Sequence, residues 1–149
     1  ENHFGPADEI RPGNFVFYDL AQWRIGSCQY DQIAVAMACP IVAKHPDRKQ
    51  LIIYGGGVHF AKDQSKLLDE ETSYYGHVVE FGAKSWQLPN GQNHLSALSQ
   101  EHGTLNVQDH ILQRYQVGDI ITILPIHSCM NANAMKSYLT LDGRSIARL

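Results

Sequence analysis

The sequence predicts an all-β domain, a mostly antiparallel β-barrel with few short helices, and three observations carry that prediction. From residue 33 to residue 41 large and small apolar residues alternate with period two: Ile33, Val35, Met37, Cys39 and Ile41 against Ala34, Ala36 and Ala38. That is the spacing of a strand buried on both faces. Short apolar segments recur at close intervals along the rest of the chain, separated by turn-forming pairs. No amphipathic helices intervene, which favours a barrel or sandwich over a parallel α/β sheet.

The elements follow in order. Residues 1–12, ENHFGPADEIRP, have no apolar periodicity and read as an irregular lead-in. With Glu1 where an initiating Met would stand, they look cut from a longer polypeptide, and the domain itself is expected over 13–149. After the Pro12-Gly13 turn, 14–20 reads as a strand. In the 33–41 strand Pro40 cannot donate to a ladder and implies a bulge or an edge. The turn HPDRK leads to a strand over 51–54, which ends in Gly55, Gly56 and Gly57. Further strands are expected over 74–81, 95–100, 104–107 and 119–124, with turns at Asn90-Gly91, Val117-Gly118 and Asp142-Gly143. Helical patterns are confined to 109–114 and 131–138.

Composition narrows the function. The 149 residues are 44% hydrophobic and 18% charged, with a mean hydropathy of -0.28, the balance of a folded globular chain. A chain of this size removes roughly 68–70% of its unfolded surface from water, enough for a core without staples. The longest nearly uncharged apolar stretch, 33–43, is far short of the ~20 residues that span a bilayer, so no membrane partner is expected. Twelve Lys and Arg against fifteen Asp and Glu give a net charge of -3 with no basic run, which argues against nucleic acid. Three widely spaced cysteines, Cys28, Cys39 and Cys129, argue against a disulfide framework and for the cytoplasm.

Chemistry concentrates in residues 118–133. A β-branched strand runs into Pro125, and His127 and Cys129 follow with one residue between them. In an extended chain such residues point to one side, so an imidazole nitrogen and a thiolate can converge on one ion. Both are first-choice zinc ligands, and the pair disfavours magnesium or calcium. Two ligands leave positions for water, substrate or a third side chain, the arrangement of a catalytic site. Read alone, the pattern also fits a packed cysteine beside a histidine.

Two further clusters stand out. In Ser99-Gln-Glu-His-Gly103, His102 is a candidate third ligand, proton shuttle or orienting partner, and Gly103 permits close backbone approach. The plainer reading is a polar strand end turned by glycine. Residues 54–63 carry three glycines without the helix-opening Lys-Ser/Thr order of a phosphate loop, so a bulge or tight crossing is expected. His59 and Lys62 are candidates to line a cleft, whereas His45 and His110 read as surface residues.

Three stretches, residues 9–20, Ser99 to Gly103, and Gly118 through Asn133 with its Pro-x-His-x-Cys core, resemble the carboxyl-terminal β-domain of the D-serine dehydratase and D-threonine aldolase family. They span nearly the whole chain. The resemblance implies a barrel like the C-terminal domain of alanine racemase-type enzymes. It also implies an absent amino-terminal barrel that holds pyridoxal 5'-phosphate on a lysine, and a homodimer when intact. The motif's metal-binding roles fall on His127 and Cys129, with zinc as the ion and a small D-amino acid as substrate. Cysteine at the second position, where the aldolases typically carry Asp, favours a zinc-dependent dehydratase that eliminates water from a D-3-hydroxy amino acid. Retro-aldol cleavage, and a non-catalytic barrel that binds a ligand or partner, are the alternatives. No lysine here matches the family's Schiff-base lysine, so Lys62 is not given that role.

Overall fold

The computed structural model describes residues 5–66, 71–82, 85–87 and 92–147. In chain order the elements are α1 (Leu20–Arg24), β1 (Met37–His45), β2 (Gln50–Tyr54), β3 (Ser65–Lys66), β4 (Ser73–Tyr74), β5 (Gly76–Val79), β6 (His94–Leu98) and β7 (His102–Asn106). They continue with α2 (Asp109–Arg114), β8 (Ile120–Pro125), α3 (Ser128–Ala134), β9 (Ser137–Leu139) and β10 (Ser145–Ala147). Six strands close a barrel in the order β1-β2-β7-β6-β5-β8, and every neighbouring pair is antiparallel. The strands β3 and β4, and β9 and β10, form two small ribbons beside it. The expected all-β barrel is thus the observed architecture. Closure matters physically because it leaves no strand edge of the main sheet unpaired.

The barrel interior is packed with side chains. Ile41, Leu51, Ile53, Leu95, Ile121 and Ile123 are all at most 1% exposed, each contributing about 1.5–3 kcal/mol by leaving water. A second apolar cluster lies on the outside of β5 and β8, where Leu20 of α1 meets Tyr30, Tyr74, Val79, Leu124 and Ile126. The period-two pattern of β5 divides the two clusters: Val78 joins the interior and Val79 the outer layer.

β1 shows how one strand serves two neighbours. Met37 to Pro40 pair with β8, and Ile41 to His45 pair with β2, with a register shift between Ile41 and Ala43. Pro40 stands at the change of partner, where its missing N–H removes no bond to β2, and the bulge expected from it is present. The alternation begins later than the sequence suggests, since 33–36 lie outside the strand. It is also one-faced: Met37, Cys39 and Ile41 are buried while Ala38 is exposed, because the outer face of β1 has no layer packed over it.

Three further expectations need correction. The segment 14–20 is not a strand: Tyr18 takes a left-handed backbone (φ 52), and the Phe17 carbonyl accepts a single cross-chain bond, from Ala34 N–H at 2.7 Å, among the described residues. Leu20 instead opens α1, which is capped by Asp19. The 74–81 strand is split at Tyr75 into β4 and β5, and Phe81 pairs only in an isolated bridge with Trp86. The 131–138 helix starts earlier and stops at Ala134, because Met135 is extended (ψ 145) and Ser137 enters β9. Helix α2 falls where expected. At the Val117-Gly118 turn Gly118 takes φ +98 and donates its N–H to Ile41 O at 2.8 Å. The Asn90-Gly91 turn lies outside the described residues.

The triple glycine is a crossing, as its sequence context suggests. Gly55 N–H and Gly57 N–H donate to Glu101 O (2.9 Å) and Ser99 O (2.8 Å), laying this backbone against the β6–β7 hairpin turn. A Cβ on Gly56 would stand 2.5 Å from backbone atoms of Gln100, Glu101 and His102. From the other side, a Cβ on Gly103 would stand 2.7 Å from Gly55 O. The two chains meet with no room for a side chain on either.

Candidate functional site

Strand β8 ends at Pro125, and the chain turns at once into α3. His127 has extended dihedrals (φ -130, ψ 96) and is the N-cap of α3, so Cys129 lies within the first helical turn. The extended geometry expected of His-x-Cys therefore does not apply, and the two side chains stand at a strand-to-helix corner. The reason is local: Ser128 onward is better satisfied as a helix whose first N–H groups find an acceptor elsewhere.

That acceptor is Asp19, only 1% exposed. Its Oδ2 accepts the Ser128 N–H at 2.9 Å and also the side-chain amide of Asn14, while its Oδ1 caps α1 through Gln22 N–H at 2.9 Å. Ser128 Oγ donates to Asn14 Oδ1 at 3.1 Å. One residue earlier, Ile126 O accepts from Ala21 N–H at 3.2 Å. The backbone is thus held on both sides of His127 by the α1 region. On its other flank α3 is tied to the segment after the glycine crossing: Asn131 Nδ2 donates to His59 O (3.2 Å), and its Oδ1 accepts from Ala61 N–H (3.4 Å).

Two residues past Ala61, Asp63 meets the site. Its Oδ2 lies 2.5 Å from His127 Nδ1, with both side chains partly open to solvent. Lys62, next to Asp63, lines an open cleft of about 650 Å³ together with Gly57, Val58, Tyr75, Leu98 and Ser99. Tyr75 O also accepts from Ile126 N–H at 3.3 Å, so the cleft and the corner share this stretch of backbone. Of the three cysteines Cys129 alone is exposed. Burial pushes the Cys39 thiol up to about 12, and Cys28 is raised by burial and then by the nearby Asp19 charge, so neither offers a thiolate.

His102 is exposed at the start of β7 and faces Tyr54 across the strand pair, with ring centroids 5.9 Å apart. His59 packs on the same Tyr54 ring at 4.9 Å and accepts Gly56 N–H at its Nδ1 (3.3 Å). The structure therefore joins His127 to Asp63 and groups His102 with Tyr54 and His59. Sequence reasoning missed Asp63, Asp19 and Asn131 as parts of this corner. Asp19 and Asp63 reach it across 109 and 64 residues, and Asn131, although it lies in α3, acts through bonds to residues 59 and 61; no local pattern marks such contacts.

Among the described residues no group of three or more His, Cys, Asp or Glu is placed to hold a metal ion. The corner offers two donors, the Nε2 of an imidazole already engaged at Nδ1 and an accessible thiol. Imidazole with thiolate is a donor set that suits zinc, and two donors leave positions open to water, substrate or another domain. The donor chemistry fits the ion. The described residues contain no helix long and apolar enough to cross a membrane.

Comparison with known proteins agrees with this architecture. Residues 34–141 match the profile of the family described as "Putative serine dehydratase domain". A D-serine dehydratase of Dictyostelium discoideum is 30% identical over 142 residues, covering 91% of this chain and 34% of that protein. A D-threo-3-hydroxyaspartate dehydratase of Delftia sp. is 27% identical over the same length, covering 91% of this chain and 36% of that protein. An alanine racemase-like protein of Idiomarina loihiensis superposes with a TM-score of 0.70 at 25% identity, covering 87% of this chain and 34% of that structure. The chain spans about a third of the length of the curated relatives it matches.

Proposed function

Because the chain belongs to the serine dehydratase domain family, we propose that it is the metal-carrying β-domain of a lyase that eliminates water from a D-3-hydroxy amino acid. The observation that carries this reading is the corner itself: an imidazole pinned at one nitrogen, an exposed thiol two residues on, and a backbone bond from Ile126 to Tyr75, which lines a cleft with Lys62 at its wall. His127 through Nε2 and Cys129 as thiolate would hold a zinc ion. The pyridoxal phosphate would sit on a lysine of an amino-terminal barrel. When bound, the metal supplies Lewis acidity toward the substrate hydroxyl, and the cofactor supplies an electron sink.

The chain's own residues bind and orient. Asp19 and α1 fix the backbone at His127, so the donor nitrogen is set before any ligand arrives. Lys62 offers a cation to a carboxylate in the cleft. His102, exposed at the hairpin beside the glycine crossing, is assigned proton handling at the rim, and His102→Asn should lower kcat while leaving bound metal in place. A dimer that brings a partner's barrel over the corner, and the cytoplasm as compartment, complete the reading.

The test uses the full polypeptide. Cys129→Ala should lose metal by elemental analysis and lower kcat for release of pyruvate and ammonia from D-serine by several orders of magnitude, while keeping the visible absorbance of its pyridoxal cofactor. Full turnover by this variant in the presence of a chelator would overturn the metal mechanism. Release of glycine from D-threonine in place of dehydration would assign the aldolase outcome. A wild-type protein with neither metal nor turnover would leave a binding barrel.

A further inference from the structure

The contact between Asp63 and His127 joins the glycine-crossing segment to the strand-to-helix corner, and it has a direct chemical consequence. An ionised carboxylate is an acceptor only, so the ring nitrogen facing it carries the proton. With Nδ1–H directed at Asp63 Oδ2 (2.5 Å), the lone pair of a neutral His127 ring resides on Nε2. The geometry is fixed from both ends. Asn131 ties residues 59–61 to α3, which sets where Asp63 emerges, and Asp19 with Ala21 ties residues 126–128 to α1, which sets where the ring emerges. The side chains of the pair are 39% (His127) and 55% (Asp63) exposed, so the ring is anchored yet still reachable by an ion.

We propose that Asp63 is a positioning residue for metal binding: it holds His127 in the Nδ1–H tautomer and aims Nε2 at a divalent cation shared with Cys129. Carboxylate, imidazole and ion would then stand in line, the carboxylate fixing ring orientation and raising the basicity of the ligating nitrogen. Asp63 touches neither substrate nor ion in this arrangement. The proposal rests on the metal-carrying role given above, and its test separates the two.

In the full polypeptide, zinc affinity is measured by competition with a chromogenic chelator for wild type, Asp63→Ala, Asp63→Asn and His127→Gln. Loss of an orienting partner typically weakens metal binding roughly 10–100-fold. Asp63→Ala should fall in that range. Asp63→Asn should fall less, because its amide oxygen still accepts from Nδ1–H, and His127→Gln should lose more than either. Side-chain nitrogen spectra of histidine-labelled, metal-free protein, with the His127 signal assigned by its absence in His127→Gln, supply a readout that does not depend on activity. They should show Nδ1–H at His127 in wild type and a shift toward Nε2–H in Asp63→Ala. Wild-type zinc affinity in Asp63→Ala, with His127→Gln impaired, would overturn the role of Asp63 and leave the metal reading standing. Zinc affinity unchanged in His127→Gln would overturn both.

Discussion

His77 lies on the strand beside the one that leads to His127, yet the protein places the two histidines in opposite environments. His77 pairs across the sheet with Leu124, three residues before His127. It is 4% exposed and stacks on Tyr74 with ring centroids 4.5 Å apart and planes 10° from parallel. Neither of its ring nitrogens has a hydrogen-bond partner among the described residues. His127 is partly exposed and pinned by a carboxylate. Burial pushes the His77 imidazole down to about 4, and neighbouring His94 adds in the same direction. The same side chain is thus a neutral aromatic spacer in one place and an oriented donor in the other. Residue type proposes a role, and the surrounding layer decides it.

The largest effect that would break this contrast is catalytic. His127→Ala in the full polypeptide should lower turnover by at least two orders of magnitude and shift unfolding free energy by no more than about 1 kcal/mol, since a partly exposed polar side-chain contact contributes little to folding. His77→Phe should leave metal content unchanged. It should be neutral or stabilising at pH 7, because a buried ring without polar partners replaces one whose nitrogens are desolvated and unpaired. Metal loss in the His77 variant would merge the two sites into one.

Acid sharpens the comparison next. The folded state binds the His77 proton less readily than the unfolded chain does, whose imidazole titrates near 6.5. This group's contribution is therefore intact above pH ~6.5 and declines as pH falls from there toward about 4, where it levels off. The depression amounts to a loss of about 3 kcal/mol across that window. Urea unfolding at pH 7.5 and at pH 4.5 measures it. His77→Phe should flatten the decline, and an equally steep decline in the variant would assign the acid sensitivity to other groups.

The sequence was least informative about the support of the corner. The closed barrel was readable from the alternation in β1, the β-branched run of β8 and the turn residues, because a strand with one buried face writes its period into the chain. The 14–20 run misled because Phe15 and Val16, apolar enough for a strand, are 56% and 65% exposed, and Tyr18 turns the chain toward the Asp19 cap. His127 and Cys129 were legible as neighbours. Asp63 was not, since a contact across 64 residues exists only after the barrel has closed. Asp19→Ala probes this support directly. It leaves the Ser128 and Gln22 N–H groups without their acceptor and should cost about 2–3 kcal/mol, read by urea unfolding. Asp19→Asn should recover part of that, because its amide oxygen can still accept one of the two bonds.

The smallest expected effect is the most discriminating for the role of Asp63. Its contact with His127 is exposed enough that competing solvation and side-chain entropy offset most of the attraction, so Asp63→Ala should change unfolding free energy by less than about 1 kcal/mol. The Lys49–Asp109 pair, 60% and 63% exposed at 3.0 Å, provides a matched surface reference, and Lys49→Ala should give a change of the same size. A structural role would make the two variants differ in stability, whereas a positioning role makes them alike in stability and different only in zinc affinity. If Asp63→Ala lowered stability by 2 kcal/mol or more, its carboxylate would belong with Asp19 to the framework that folds the corner, and the contrast between an exposed, oriented histidine and a buried, silent one would lose its exposed member.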